Sequence, residues 1–139
     1  MANLFSLEVH TPKRLFYSGQ AEVVILTLVD GEAAVYANHV PFTAPVVPCL
    51  LKIKDKDGNW KIAFSAEGIL EVKKRKAILL SDAAEWPEEI DYDRAKTAKG
   101  KAEETLLQGG MKFETDKADA SLRRAKMRMK VYKEGKNKT

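Results

Sequence analysis

Early in the chain, apolar positions recur every second residue in short runs broken by turn residues. Phe5, Leu7 and Val9 alternate with Ser6, Glu8 and His10, the period of a half-buried strand. Leu51 and Ile53 alternate with Lys52 and Lys54, and Trp60, Ile62 and Phe64 alternate with Lys61 and Ala63. Between those two runs lies Asp55-Lys56-Asp57-Gly58-Asn59, whose Asp-Gly step predicts a hairpin. Residues 23–29 are denser in β-branched side chains and predict a strand buried on both faces. Residues 69–72 and 77–80 flank Lys73-Lys74-Arg75-Lys76, which predicts a second hairpin with a solvated basic tip. Four of the five prolines precede Trp86 and cut the strands short. Many short strands with frequent turns predict a sandwich or barrel over residues 1–86.

From Pro87 the period changes to that of helices. Residues 88–107 are rich in Ala, Lys and Glu, with acids gathered at the start, where they complement the helix dipole. Gln108-Gly109-Gly110 is a helix stop, and Thr115 or Asp116 can cap a second helix running to about Lys133. Ala118, Leu122, Ala125, Met129 and Tyr132 recur at helical spacing, as do Ala95, Ala98, Ala102 and Leu106. Met127 and Met129 read as packing residues. Two such stripes predict an antiparallel hairpin over residues 87–139. The fold class is therefore α+β, an N-terminal antiparallel β-sandwich or barrel followed by a C-terminal antiparallel two-helix hairpin. Alanine seams pack closely but weakly, since a buried methylene-sized group is worth about 0.8 kcal/mol. Gly100 inside the first helix costs about 1 kcal/mol relative to Ala. The hairpin is expected to be marginal alone, and so to serve as a two-state element.

Charge sharpens this division. The 139 residues carry 24 Lys+Arg and 20 Asp+Glu, a formal net charge of +4. Residues 1–86 hold ten bases and ten acids, so the excess lies wholly in residues 87–139, with fourteen and ten. Residues 120–139 contain eight bases against Glu134 alone. A neutral body with a basic arm differs from a uniformly basic protein.

Several function classes lose support. No apolar run approaches the ~18 to 20 residues of a membrane helix, and Met1-Ala2-Asn3-Leu4-Phe5 lacks the basic and apolar regions of a signal peptide. The single cysteine, Cys49, fits a reducing compartment and reads as a small buried hydrophobe. His10, His39 and Cys49 do not make a zinc site, so no metal is expected. His39 reads as a turn or interface residue, with no nucleophile or acid near it in sequence. No glycine-rich phosphate loop or triad pattern appears, so no catalytic residue is assigned. The basic terminal helix would suit nucleic-acid phosphates, but the strands offer no basic, aromatic stacking surface.

Six collinear motifs carry a family resemblance. They are Val9-His10-Thr11-Pro12, then residues 15–22, then Gly31-Glu32 with Asn38-His39-Val40-Pro41-Phe42-Thr43. Ala66-Glu67-Gly68-Ile69-Leu70-Glu71-Val72, Ile90-Asp91-Tyr92-Asp93-Arg94-Ala95 and Leu122-Arg123-Arg124-Ala125 complete the set. In order and composition the chain resembles the epsilon subunits of F-type ATP synthases over nearly its whole length. It departs at Val35-Tyr36-Ala37-Asn38, where the family commonly has an apolar residue, Pro and Gly, so that turn is expected to be built differently. Pro87 is also unusually placed, just before the hairpin.

The resemblance implies a non-catalytic rotor component at the cytoplasmic face of the cell membrane, peripheral and attached only through its complex. Implied partners are the gamma subunit, the ring of c subunits, and the catalytic alpha and beta subunits. It further implies that the hairpin extends to inhibit ATP hydrolysis, with Arg123, Arg124, Lys126, Arg128 and Lys130 meeting an acidic catalytic-subunit surface. Some bacterial members bind ATP on the folded hairpin as a regulatory ligand, no cofactor being required. Carried over, that site would comprise Glu85, Ile90, Asp91, Arg94, Ala95, Arg124 and Arg128. Arg124 and Arg128, at i and i+4, would share a face and reach phosphate oxygens. Asp91 would accept from the adenine amine and Ile90 would pack on the base. Lys101 stands in place of a further Arg, which removes a bidentate contact. Without the resemblance, Asp91 and Arg94 would read as a helix-start acid and a surface pair. A free-standing ATP-sensing module and a basic-helix nucleic-acid-binding protein are the alternative readings.

Overall fold

The computed structural model describes residues 3–137. Met1 and Ala2 of the segment read for a leader, and Lys138 and Thr139 of the basic tail, lie outside the described residues. The chain divides into two units, Met1–Trp86 and Pro87–Thr139.

Among the described residues, the first unit holds nine strands: β1 (Phe5–His10), β2 (Leu15–Leu28), β3 (Gly31–Tyr36), β4 (Phe42–Val46), β5 (Cys49–Asp55), β6 (Trp60–Ser65), β7 (Gly68–Lys73), β8 (Lys76–Ser81) and β9 (Ala84–Glu85). Their order is β1-β8-β7-β4-β2-β5-β6-β9, with β3 paired to β2 and β1 also paired to β2. The last pairing closes β1, β8, β7, β4 and β2 into a ring, which removes sheet edges as a barrel does. The 14-residue β2 makes this possible, because it serves two layers. Its first half pairs with β1, and from Val23 onward it pairs with β3 on one edge and, on the other, with β5 to Ile25 and β4 at Leu28. Within the largely antiparallel sheet, β1 and β8 run parallel.

β1 buries Phe5, Leu7 and Val9 and turns Ser6, Glu8 and His10 outward, as its alternation predicts. In β2 both Val23 and Val24 are buried, in keeping with the dense β-branched run, although Val29 lies beyond the strand and is exposed. The phase of β6 differs from the expectation. Trp60 is exposed, and Ala63 rather than Phe64 joins the interior cluster. Cross-strand partners share a face, and Ala63 lies opposite Leu51, whose side chain points into the core. The β5 register therefore sets the parity of β6. Ile62 and Phe64 occupy its other face and are buried as well.

The turn between β5 and β6 is a three-residue loop rather than a two-residue one. Gly58 N–H donates to the Asp55 carbonyl at 3.0 Å, and Gly58 takes φ 83°, the left-handed position of that loop. The turn after β3 closes through the His39 N–H on the Tyr36 carbonyl at 3.1 Å. At the end of the unit, Trp86 stacks on Phe16 with centroids 4.4 Å apart and meets Tyr17 edge-on at 6.3 Å. Cys49 is buried, and that burial pushes its thiol pKa up, as befits an inert core residue.

The second unit opens with a 3-10 turn (Pro87–Glu89), followed by α1 (Tyr92–Gln108) and α2 (Lys112–Asn137). The expected helix over residues 88–107 thus begins later. Glu88 and Glu89 sit on the 3-10 turn, and Asp91 caps α1 by accepting from the Arg94 N–H at 3.1 Å. The expected cap of α2 is also displaced. Its helix begins at Lys112, and Thr115 lies within the first turn, its hydroxyl donating to the Lys112 carbonyl at 2.9 Å. A threonine inside a helix bonds backward in this way, whereas a cap faces forward. α2 also continues to Asn137, past the expected end near Lys133, because its last turns contain helix formers and no proline. α1 and α2 pack on each other, and Ala95, Ala102, Ala118 and Ala125 are buried, as the alanine seam predicts.

Candidate functional site

Two surfaces carry candidate chemistry, one on each unit, and the sequence pointed to the one on the hairpin. On the hairpin, the open end is held by aromatic and proline contacts. Tyr92 at the start of α1 and Tyr132 on α2 have ring centroids 4.9 Å apart. Lys133 Nζ lies 5.9 Å from the Tyr92 ring and Lys136 Nζ 5.4 Å from the Tyr132 ring, both within cation–π reach. Gly135 faces Pro87 so closely that an added methyl would overlap the pyrrolidine ring. Here glycine is required by close approach.

Those contacts fix the level of the predicted residues. With a 1.5 Å rise per residue, Arg94 lies about 3 Å in level from Arg128 and about 9 Å from Arg124. The fold thus brings Asp91, Arg94 and Arg128 to one end of the hairpin, with Arg124 one to two turns further along. Ile90 and Ala95 are buried, Arg94 is exposed, and Arg124 and Arg128 are half-buried. Glu85 lies in the other unit, on β9, paired with Phe64 of β6. One oxygen of Asp91 is committed to capping α1, so its carboxylate has a structural role besides any ligand contact.

α2 carries a second stripe that the alanine spacing did not reveal. Arg124, Arg128, Val131 and Gly135 recur at spacings of 4, 3 and 4, about 60–140° around the helix from Ala118 and Ala125. Val131 is fully buried, and Gly135 meets Pro87, so this stripe is a packing surface. Among the five predicted inhibitory cations, Arg123 is tied to Asp119 at 2.8 Å, one turn back along α2, while Lys126 and Lys130 are exposed.

On the sandwich, strand register assembles an apolar row. His10 stands beside Leu15 on one side and Leu80 on the other, Leu80 beside Ile69, and Ile69 beside Pro45. The row crosses β2, β1, β8, β7 and β4, about 19 Å at ordinary strand spacing. Leu15, Leu80 and Ile69 are 53%, 55% and 50% exposed. A polar row runs alongside. Glu8 accepts from His10 at 2.8 Å and from Lys76 at 3.3 Å, and Glu71 pairs with Lys73 at 3.1 Å. The hydrogen bonds from His10 and Lys76 hold the Glu8 carboxyl below its usual range. An exposed apolar band bordered by charge has the composition of a protein-docking surface. Sequence reasoning missed it because its members come from five separated strands.

Comparison with known proteins matches both units. Residues 4–87 match the beta-sandwich domain of the ATP synthase Delta/Epsilon chain, and residues 88–133 match its long alpha-helix domain. The chain is 47% identical over 132 residues to an ATP synthase epsilon chain of Caldanaerobacter subterraneus subsp. tengcongensis, covering 94% of this chain and 95% of the relative. It is 46% identical over 132 residues to the epsilon chain of Caldicellulosiruptor bescii, covering 95% and 96%. Among solved structures, a chain of the Euglena gracilis mitochondrial ATP synthase has a TM-score of 0.78 at 16% identity, over 88% of this chain and 78% of that one. A chain of the Tetrahymena thermophila mitochondrial ATP synthase central stalk and c-ring reaches 0.66 at 12% identity, over 94% and 98%.

Proposed function

The chain belongs to the ATP synthase delta/epsilon chain family, and from that membership we propose that it is the epsilon-type subunit of the central stalk, a rotor component without bond-making chemistry of its own. In this reading the sandwich docks on the gamma subunit and the c-ring, and helps couple ion flow through the ring to ATP synthesis. The complex holds the chain at the cytoplasmic face of the membrane. The observation that carries the docking role is the Leu15–His10–Leu80–Ile69–Pro45 row, whose half-exposed side chains gain burial only against a partner.

The hairpin is read as a brake on ATP hydrolysis that extends toward the catalytic alpha and beta subunits. Its seam supports this, being built largely on alanines, so little burial is lost on opening. The basic half of α2 supplies attraction to an acidic surface. Single exposed pairs contribute about 0.2–1 kcal/mol each and are screened over ~8 Å, so several must act together. Lys126 and Lys130 are the better candidates, since Arg123 must first leave Asp119. The test is ATPase activity of the reconstituted complex with the full chain and with a chain ending at Trp86. That end point keeps the Trp86–Phe16 stack. Faster hydrolysis with the shorter chain is expected, and equal rates would exclude a brake.

A second reading, regulatory ATP binding by the hairpin, rests on the shared level of Arg94 and Arg128 and the nearby Asp91. Arg124 would reach phosphates only from further along α2. Glu85 would have to come from the other unit. Isothermal titration of the full chain with ATP tests it, and no heat at millimolar nucleotide would exclude it.

A further inference from the structure

At one end of the sandwich, the β3–β4 connection and the β7–β8 turn face each other across a cavity of about 310 Å³, lined by Ala37, Asn38, His39, Pro41, Lys74 and Arg75. The turn carries four consecutive cations, but they are not equivalent. Lys73 is neutralised by Glu71 at 3.1 Å and Lys76 by Glu8 at 3.3 Å. Among the described residues no carboxylate pairs with Lys74 or Arg75, the two that line the cavity.

Both walls are held in place. Arg75 has φ 58°, a left-handed conformation that Gly or Asn adopts at lower cost, and its carbonyl accepts from the Ser6 N–H at 2.9 Å. An arginine kept where glycine would be easier is consistent with use of its side chain. Opposite, the His39 ring places Nδ1 3.1 Å from the Val40 carbonyl and sits 5.0 Å from the Phe42 ring. That leaves Nε2 for another partner.

The geometry points to a binding pocket for a phosphate group bearing an organic substituent. Arg75 offers a planar fork for two oxygens and Lys74 a compact charge. The Asn38 amide and the His39 ring add further polar groups, and Ala37 and Pro41 give an apolar wall for the substituent. A carboxylate has two oxygens to satisfy this set, whereas a phosphate monoester presents three. The phosphate could belong to a small soluble molecule or to a lipid headgroup, and the chemistry at the pocket is the same for both. The inference stands apart from the stalk role.

The experiment follows backbone amide shifts of the full-length chain by NMR during titration with inorganic phosphate and with glycerol phosphate. Sodium chloride at matched ionic strength serves as the control. Saturable shifts confined to Asn38, His39, Lys74, Arg75 and their neighbours are expected. Arg75→Gly relieves the turn, so it should fold at least as well, yet bind at least tenfold more weakly. A parallel flotation assay compares vesicles of phosphatidylcholine alone with vesicles containing phosphatidylglycerol. Flotation only with the anionic lipid, lost in Arg75→Gly, assigns the lipid source, and a response to soluble phosphates alone assigns the free one. The proposal is overturned by silence in both arms, by shifts spread evenly over surface lysines, or by unchanged binding in Arg75→Gly. A response of these amides to an acidic peptide but to neither phosphate source would also overturn it, in favour of a protein partner.

Discussion

Replacing Ile69 and Leu80 together by threonine should uncouple docking from folding. The two residues are cross-strand neighbours on β7 and β8, and each is about half exposed. Threonine has the β-branched shape that a strand favours, kept at Ile69 and introduced at Leu80, so the sandwich should unfold within a few degrees of the parent. Full burial of a Leu or Ile side chain is worth about 1.5–3 kcal/mol. Half of each side chain is already covered, so docking gains roughly 0.8–1.5 kcal/mol per residue and roughly 1.5–3 kcal/mol for the pair. At about 1.4 kcal/mol per decade, the double variant should bind the gamma subunit about 10- to 150-fold more weakly. The assay is titration calorimetry of purified gamma against parent and variant, with thermal unfolding of each as the folding control. Affinity within twofold of the parent, with an intact fold, would refute the assignment of this face.

Three other perturbations test the hairpin and the turns. A methyl added at Gly100 meets nothing within 4 Å, so Gly100→Ala should stabilise α1 by about 0.5–1 kcal/mol, read as slower amide exchange along that helix. Gly135→Ala should force α2 off Pro87 and cost about 1–3 kcal/mol locally, seen as faster exchange in the last turns of α2 while the sandwich is unaffected. For pH, Asp55 accepts from the Asn59 and Asp57 N–H groups at 3.0 and 2.9 Å and from Lys61 at 3.3 Å. The Asn59 bond, foremost, holds its carboxyl below the ordinary range. Its contribution is therefore present above the unfolded pKa of about 3.9 and is lost as pH falls through the depressed folded value. Sandwich stability should decline over that acid window, and Asp55→Asn should flatten the decline. An unchanged slope in the variant would reject the link.

The sequence by itself determined where strands give way to helices, which face of β1 is buried, where both hairpins turn, and that the helical seam is alanine. These are local properties, written in periods of two and about 3.6 residues and in the placement of Gly and Pro. It also located the basic charge and carried enough collinear motif to point to the family. What it left open were relations between distant segments. Alternation says that Trp60, Ile62 and Phe64 share a face, but only pairing of Ala63 with Leu51 says which face is inward. The helical wheel of α2 revealed one stripe. The second, ending at Gly135, became legible only with Pro87 lying against it. The row from Leu15 to Pro45 exists because four registers align residues up to 70 positions apart. Register and close packing are settled by the summed burial of the whole domain, and no local period encodes them.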